Sequence, residues 1–474
     1  MTVVLNGTSL TLAEVVRVAR DRERVELDPG AYERMTGARV VVEDVVASGV
    51  AAYGLTTGVA SRKRHRVALD DQAEHNRLMI ETLLVSQGPS TPEDAVRAAI
   101  VRLVNGFARG TAGVRPALVD RLVSALNEGF QASVGIYGSV GMGDIAPMAE
   151  LARGILGDFE LAPKEAVSIV DNDAFSTGLA ALAIHDLERL LDAFDAAAAL
   201  DQEAFAANLS ILHPAAAAVR PYPGLQSTVQ RLRTLLAGSS LWHETSARNL
   251  QDPLSFRCIP QVHGAAREAL AYGQRQLGIE LNASQENPLV VVEEGTIISV
   301  GSFDPIVLAA ALDFLRTALA PVITSACERL VKLQQAPFSG LPEGLSSRPD
   351  FATTVFPQFS YVAAAITAEA RLLAQPVSYE LPTTSIAEGI EDRVTMAPLA
   401  ARRLVEMVGL GERLVAIELF VAAQAVDLRA PEALGAGTAK LHAAIRGRPG
   451  TRIGDVEPLV ELVRSGALSD YCIQ

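Results

Sequence analysis

Cysteine is scarce: three in 474 residues, Cys258, Cys327 and Cys472, odd in number and far apart. No disulfide framework and no zinc-type paired spacing follow from them, and a reducing cytoplasm fits. The seven histidines are scattered, with no pair three or four apart to ligate a metal on one helix face. Aromatics are only 5% of the chain while Ala, Leu and Val dominate, which favours helix over sandwich. Positive charge is in deficit, 41 Lys and Arg against 55 Asp and Glu for a net charge of −14. A nucleic-acid surface needs clustered cations to replace phosphate counterions, so small-molecule or protein partners are expected instead. No stretch reaches the roughly 18 uncharged apolar residues of a membrane span, because Glu, Asp or Arg interrupts the Ala-rich segments. The run from Met1 to Gly7 lacks both the basic region and the apolar length of a signal peptide. No membrane partner is expected. Internal repeats and low-complexity linkers are also absent.

What remains is a chain of 49% hydrophobic residues, long enough for a large core and two or three structural units. Val40-Val41-Val42 with Val45-Val46 is the best strand candidate, in a mixed region from about 10 to 50. From Ala73 onward helical periodicity takes over. Helices are predicted over Ala95 to Phe107, Pro116 to Leu126 with Pro in the first turn, and Ala174 to Leu200. A breaker-rich connection from Leu212 to Gly224 separates these from further helices at Val262 to Leu277, Pro305 to Leu333, Tyr361 to Leu373 and Ala397 to Ala425. The predicted fold is mainly α, a long-helix bundle with a smaller mixed N-terminal region, divided into domains 1–200 and 201–474. Gly138-Ser139-Val140-Gly141-Met142-Gly143 is Gly-rich before a helix, but it has neither the Lys-Ser/Thr of a P-loop nor dinucleotide spacing.

Several blocks in fixed order carry a resemblance. Gln251-Asp252-Pro253-Leu254-Ser255-Phe256-Arg257-Cys258-Ile259-Pro260-Gln261-Val262-His263-Gly264 is the strongest, joined by Tyr53-Gly54-Leu55-Thr56-Thr57-Gly58, Glu280 to Leu289, Ser339-Gly340-Leu341-Pro342 and Glu391-Asp392-Arg393-Val394-Thr395-Met396. Together they resemble the histidine/phenylalanine/tyrosine ammonia-lyase family from about Leu5 to the C-terminus, without the extra domain of plant members. The resemblance implies the ammonia-lyase/fumarase-like bundle and a homotetramer with active sites shared between subunits, which would bury leftover apolar helix faces. It implies roles as well. Tyr53 takes the place of the general base on the mobile loop, Arg257 that of the clamp on a substrate carboxylate, and Glu391 that of an acidic active-site residue. A planar guanidinium suits the clamp because it donates two parallel hydrogen bonds. A phenol has a pKa near 10, so a base at Tyr53 needs positive charge or dipoles nearby; Arg62-Lys63-Arg64-His65-Arg66 is a candidate source, or a solvated loop face.

The departures from the family pattern are concentrated on its chemistry. Where the family has Gly-Ser-Val-Gly-Ala-Ser-Gly-Asp, this chain has Gly138-Ser139-Val140-Gly141-Met142-Gly143-Asp144, one residue short and without the Ala-Ser pair. In the family Ala-Ser-Gly cyclises and dehydrates to an electrophilic methylidene-imidazolone, so no such group and no other cofactor or metal is expected here. Ser139, the nearest hydroxyl, precedes β-branched Val140, which hinders a tight cyclisation. Ala47-Ser48-Gly49, Phe338-Ser339-Gly340 and Arg464-Ser465-Gly466 lie in the wrong contexts and read as ordinary turns. Leu254 replaces a Tyr, Gln87 replaces a His, and Asp171 in Asp171-Asn172-Asp173 replaces an Asn. A carboxylate at 171 is able to act as a general acid or base or to bind a cationic amine; alternatively Asp171 and Asp173 cap a helix start.

Catalytic candidates are therefore Tyr53, Asp171 and Glu391. Substrate-binding candidates are Arg257, Gln251, Gln87, Leu254, Phe303, Ser139 and Met142, with Leu254 and Met142 making part of the pocket apolar. Three functions stay open. One is an enzyme without the electrophile, performing acid/base elimination, isomerisation or cyclisation on a carboxylate-bearing small molecule; the others are a non-catalytic ligand-binding or scaffold relative, and a genuine ammonia-lyase. Joint retention of Tyr53, Gln251 and Arg257 favours the first, since a scaffold needs none of them together.

Overall fold

The computed structural model describes residues 2–350, 357–378, 387–448 and 455–472. It is mainly helical, and the predicted helices are found with small shifts at their ends: Glu93–Ala108, Pro116–Glu128, Ala174–Phe205, Ile259–Glu280, Ile306–Leu333, Ser360–Leu373 and Ala397–Arg429. Pro116 starts its helix at the first turn as expected, where its missing N–H costs nothing.

The valine-rich run is not a strand. Val40 to Val46 lies inside the helix Pro29–Ser48, which opens with Pro29 and ends at Gly49 in the left-handed conformation (φ 65°). Ala31, Met35, Ala38, Val41 and Val42 are the buried apolar positions, spaced three and four apart, while Val40 is exposed. Burial of that stripe outweighed the β preference of the individual residues. Ala47-Ser48-Gly49 is thus a helix end, in keeping with its reading as a turn.

The chain falls into two compact units, the first made of Met1–His185, Gly273–Asp313 and Pro376–Arg402, the second of Asp186–Tyr272, Phe314–Gln375 and Arg403–Gln474. These are not the consecutive blocks 1–200 and 201–474, because residues 273–313 and 376–402 return to the first unit. Among the described residues of the first unit, three two-stranded sheets accompany the helices. Thr2–Leu5 pairs in parallel with Arg24–Leu27, Gln87–Ser90 antiparallel with Gly135–Tyr137, and Leu289–Val291 antiparallel with Thr296–Ile298. Helix Glu93–Ala108 is almost wholly buried and has Arg97 and Arg102 in its core, whose guanidinium groups donate to backbone carbonyls of Val18, Leu126, Glu280 and Ala283.

The second unit has a core built on buried ion pairs as well as apolar packing. Arg329 is fully buried between Asp201 and Glu418 (2.8 and 2.7 Å). Asp195 accepts from Arg231 (2.9 Å) and also pairs with Arg267 and His263. The neighbouring cations hold its carboxyl well below the usual range despite burial. His263 is thus a buried partner of Asp195 within the core, and Cys258 and Cys327 are free thiols. Among the described residues, two helical stretches, Glu165–Phe205 and Ile306–Leu333, are long and apolar enough by composition to cross a membrane; the first has 94% of its apolar window buried inside the fold.

Candidate active site

Tyr53 sits on a loop that the chain ties down tightly. The amides of Leu55, Thr56 and Thr57 all donate to the Ala52 carbonyl, the Thr56 hydroxyl bridges Val50 O and Ala52 N, and Gly58 N donates to His65 O. Gly54 is required there, with φ 66° and a Cβ position only 3.0 Å from the Val167 side chain. The phenol oxygen of Tyr53 accepts a hydrogen bond from the Ala60 amide at 2.9 Å. Burial nevertheless raises its pKa above the ordinary phenol value, and the charges of Asp171 and Glu391 push in the same direction. The lowering that a phenolate base would need is therefore not what the site supplies. Arg62, Arg64, His65 and Arg66 are exposed, Lys63 pairs with Glu388 at 3.7 Å, and none of the run is among the charges acting on the phenol.

Asp171 terminates the short helix Glu165–Val170 instead of starting one. The capping work is done by its neighbour: Asn172 accepts from the Ala174 amide at 2.9 Å through its side-chain oxygen. Asp173 caps nothing with its carboxyl, whose two oxygens are buried without a hydrogen-bond partner. The helix-start reading of Asp171 and Asp173 is thus replaced by a cap at Asn172, helped by Asp144, which accepts from the Ser176 amide at 2.7 Å.

The Asp171 carboxyl accepts from the Asn287 side-chain amide at 3.3 Å, and its pKa is pushed up to about 7. Burial is the main cause; Glu391 and Glu286 add to it, while the Asn287 hydrogen bond and Lys164 oppose it. Glu391, half-buried, is also raised by burial. Tyr53, Asp171 and Glu391 therefore form one electrostatic group.

Beside this group lies the Gly-rich loop that precedes helix Ile145–Leu156. Gly143 has φ 71°, and a Cβ there would stand 3.0 Å from an Asp171 carboxyl oxygen, so glycine is what lets the carboxyl lie against the loop. The Gly143 amide donates to Phe303 O at 3.3 Å. Ser139 donates to Asp144 at 2.7 Å, and Asp144 also accepts from the Ser176 hydroxyl at 2.6 Å. Gly141 has φ 78°; its carbonyl accepts from the Thr395 hydroxyl at 2.5 Å, while Met396 N donates to Val140 O at 2.9 Å. The segment carrying Glu391 thus clasps the loop four to five residues further on. Met142 is half-buried.

Other sequence-derived candidates are placed as follows. Gln87 is exposed on its strand opposite Tyr137, and Tyr137 in turn lies under the Arg402 guanidinium at 4.7 Å from its ring centre. Gln251, Leu254 and Arg257 belong to the second unit, where Leu254–Arg257 is a single helical turn. Leu254 is 61% exposed, Gln251 is exposed, and the Arg257 Nε is buried without a partner. No group of three or more His, Cys, Asp or Glu suited to a metal occurs among the described residues.

Two functional neighbours escaped the motifs. Lys164, fully buried and in a left-handed conformation (φ 76°), donates to Ala112 O at 2.7 Å and to the Ser168 hydroxyl at 2.9 Å. Burial lowers its pKa to about 8, and it is the cation that partly offsets the Asp171 charge. Nothing in its sequence surroundings marks it. Asn287 lies in the Glu280 to Leu289 block, which pointed to the fold and not to a partner for Asp171.

Known proteins place this arrangement in context. The family model for aromatic amino acid lyases matches residues 10–161 and 156–447. A histidine ammonia-lyase of Treponema denticola is 34% identical over 472 residues, covering 94% of this chain and 92% of its own. Among solved structures, the ergothioneine degrading enzyme ergothionase of Treponema denticola, in complex with desmethyl-ergothioneine sulfonic acid, superposes with a TM-score of 0.93 at 28% identity and covers 99% of both chains. A tyrosine aminomutase of Streptomyces globisporus gives 0.92 at 26% identity, covering 99% of this chain and 98% of its own. With the family model spanning most of its length and such relatives matched nearly end to end, this chain belongs to the aromatic amino acid lyase family.

Proposed function

We propose that this protein is a lyase that eliminates an amine from a carboxylate-bearing small molecule by acid/base chemistry alone, without a methylidene-imidazolone. The observation that carries the reading is Asp171. A carboxyl held near 7 beside Tyr53 and Glu391 is matched to proton exchange at neutral pH, where an ordinary carboxylate is too weak a base. The residues of the loop do not fit the electrophile. Its one hydroxyl, Ser139, is followed by Val140 and is engaged with Asp144, and the Gly143 amide is engaged with Phe303 O.

The reaction follows from these groups. Asp171 as carboxylate takes the β-proton, the C–H electron pair becomes the Cα–Cβ double bond, and the C–N pair leaves with the amine. The leaving amine departs neutral and takes up no proton, so Tyr53, held neutral at the same pH, serves as a hydrogen-bond donor that positions the substrate, and Glu391 keeps the affinity of Asp171 for a proton high. By the family resemblance, a carboxylate is the partner expected for the Arg257 guanidinium. A primary ammonium offers the base an N–H proton more acidic than the β-proton, whereas a quaternary ammonium has none and departs as a neutral amine. The substrate class is therefore an aromatic betaine, of which ergothioneine, the compound degraded by the Treponema denticola neighbour, is an example. A homotetramer in the cytoplasm belongs to the same reading.

The test incubates the pure protein with ergothioneine and with the trimethylammonium betaines of histidine, phenylalanine and tyrosine, and follows released trimethylamine together with the absorbance of the conjugated acid. Turnover is expected, falling on the order of a hundredfold to ten-thousandfold in Asp171→Asn and by a smaller factor in Tyr53→Phe, which loses a positioning hydrogen bond. Phenylalanine, tyrosine and histidine themselves are expected not to be deaminated, and the intact mass to equal the encoded mass. Deamination of those amino acids, together with a loss of two waters mapped to residues 138–144, would overturn the proposal.

A further inference from the structure

The basic segment Arg62 to Arg66, which takes no part in the chemistry above, borders an open groove of its own in the first unit. About 400 Å³ in volume, it lies between residues 58–67 and the helix Gln72–Glu81 with the turn that follows. Neither Tyr53, Asp171 nor Glu391 lines it. Its walls are apolar, with Met79 and Leu83 among them, and its cations are Arg62 and Arg66, with His65 beside them and no carboxylate in the lining. Arg66 spends one N–H on the Gly49 carbonyl at 2.6 Å, whereas Arg62 and His65 make no side-chain hydrogen bond or ion pair among the described residues.

His75 completes the wall from the helix side. It hydrogen-bonds the Gly54 carbonyl, and burial lowers its pKa, so the ring is neutral with one nitrogen donating to that carbonyl. The other nitrogen, Nε2, is buried and has no partner. A buried acceptor left without a donor costs free energy that a ligand bearing an N–H or O–H recovers. Cations without a counter-charge, apolar walls and one unpartnered acceptor together describe a ligand.

We propose that this groove binds a small organic anion with an apolar body and a hydrogen-bond donor at the end remote from its charge, such as a hydroxyaryl or azolyl carboxylate. The anion pairs with Arg62, the body lies on Met79 and Leu83, and the donor meets His75 Nε2. The site is separate from the proposed elimination chemistry and stands whether or not that chemistry does.

The test uses 4-hydroxyphenylacetate as probe on the full-length protein, with hydrogen exchange to locate binding and calorimetry to measure it. At about 10 mM, enough to saturate a millimolar site, slowed exchange is expected in peptides covering 58–67 and 75–83. Arg62→Gln and the groove-filling Thr82→Trp are each expected to weaken binding at least about fivefold, and phenylacetate, lacking the hydroxyl, to bind several-fold more weakly. Arg257→Met is expected to leave this binding unchanged. Absence of protection in those peptides overturns the proposal, as does binding that survives both groove variants and is lost only in Arg257→Met. That last result would assign the anion to the elimination site, whereas absence of betaine turnover by the natural protein, with this binding intact, would count against the proposed function alone.

Discussion

Replacing Asp171 by Asn restores the residue type that the family carries at this position and removes a single titration. The amide occupies nearly the same volume, and its carbonyl oxygen is still able to accept from Asn287, whose side chain donates to Asp171 at 3.3 Å. In the folded protein the Asp171 carboxyl holds its proton up to about pH 7, against 3.8 ordinarily, so the folded state binds a proton that the unfolded chain releases. Stability from this group is accordingly complete below about pH 3.8 and is lost as pH rises through about 7. The whole difference corresponds to roughly 4 kcal/mol, of which about 2–3 kcal/mol falls between pH 5 and pH 8. Glu391, Glu286 and Lys164 respond to the same ionisation and make this an upper bound. The expected result is a stability gap between Asp171→Asn and the natural protein that widens in favour of the variant by up to that amount from pH 5 to pH 8, while turnover falls. Urea unfolding across this range is the assay, followed by far-ultraviolet circular dichroism and by hydrogen exchange of Glu165–Val170. The single tryptophan, Trp242, lies in the second unit and its fluorescence would report there. A gap that stays constant within about 0.5 kcal/mol would mean that Asp171 is ionised throughout, and the match of its pKa to neutral acid/base work would fall with it.

Two further expectations follow from the site. Gly141→Ala places a methyl group against the Thr395 hydroxyl and within 2.8 Å of the Ala397 amide at φ 78°, so a loss of roughly 1–3 kcal/mol is expected, read as a lower urea midpoint, with faster exchange in residues 138–144 and 394–397; an unchanged midpoint would show the clasp to be unimportant. Arg257→Met is expected to weaken binding of the betaine substrate's carboxylate by more than tenfold while leaving the melting temperature within a few degrees; equal affinity in the two proteins would remove Arg257 from the carboxylate site.

The order of helices, the family and most of the candidate residues were legible in the chain because they depend on local pattern. Pro116 in a first turn, the apolar stripe from Ala95 to Phe107 and the long Ala/Leu run after Ala174 each specify a helix through contacts a few residues apart. The blocks around Tyr53, Arg257 and Glu391 were legible as blocks for the same reason. The run from Val40 to Val46 misled because β-branched residues favour strands only when no better burial is on offer, and a helix places Val41 and Val42 on the buried stripe with Ala38 and Met35.

Only the tertiary structure decided the electrostatics. Whether a carboxylate is a spectator or a base depends on its desolvation and on which charges face it, and for Asp171 those come from Asn287 and Glu391, far along the chain, and from Lys164 at the other end of its own short helix, with Gly143 making room. The same dependence raised Tyr53, where the adjacent basic run had suggested the opposite, since Arg62, Arg64 and Arg66 are exposed to solvent while burial and two carboxylates act on the phenol. Proximity in sequence placed the cations near the tyrosine in name only, because a charge in water is screened and a charge in the protein is not.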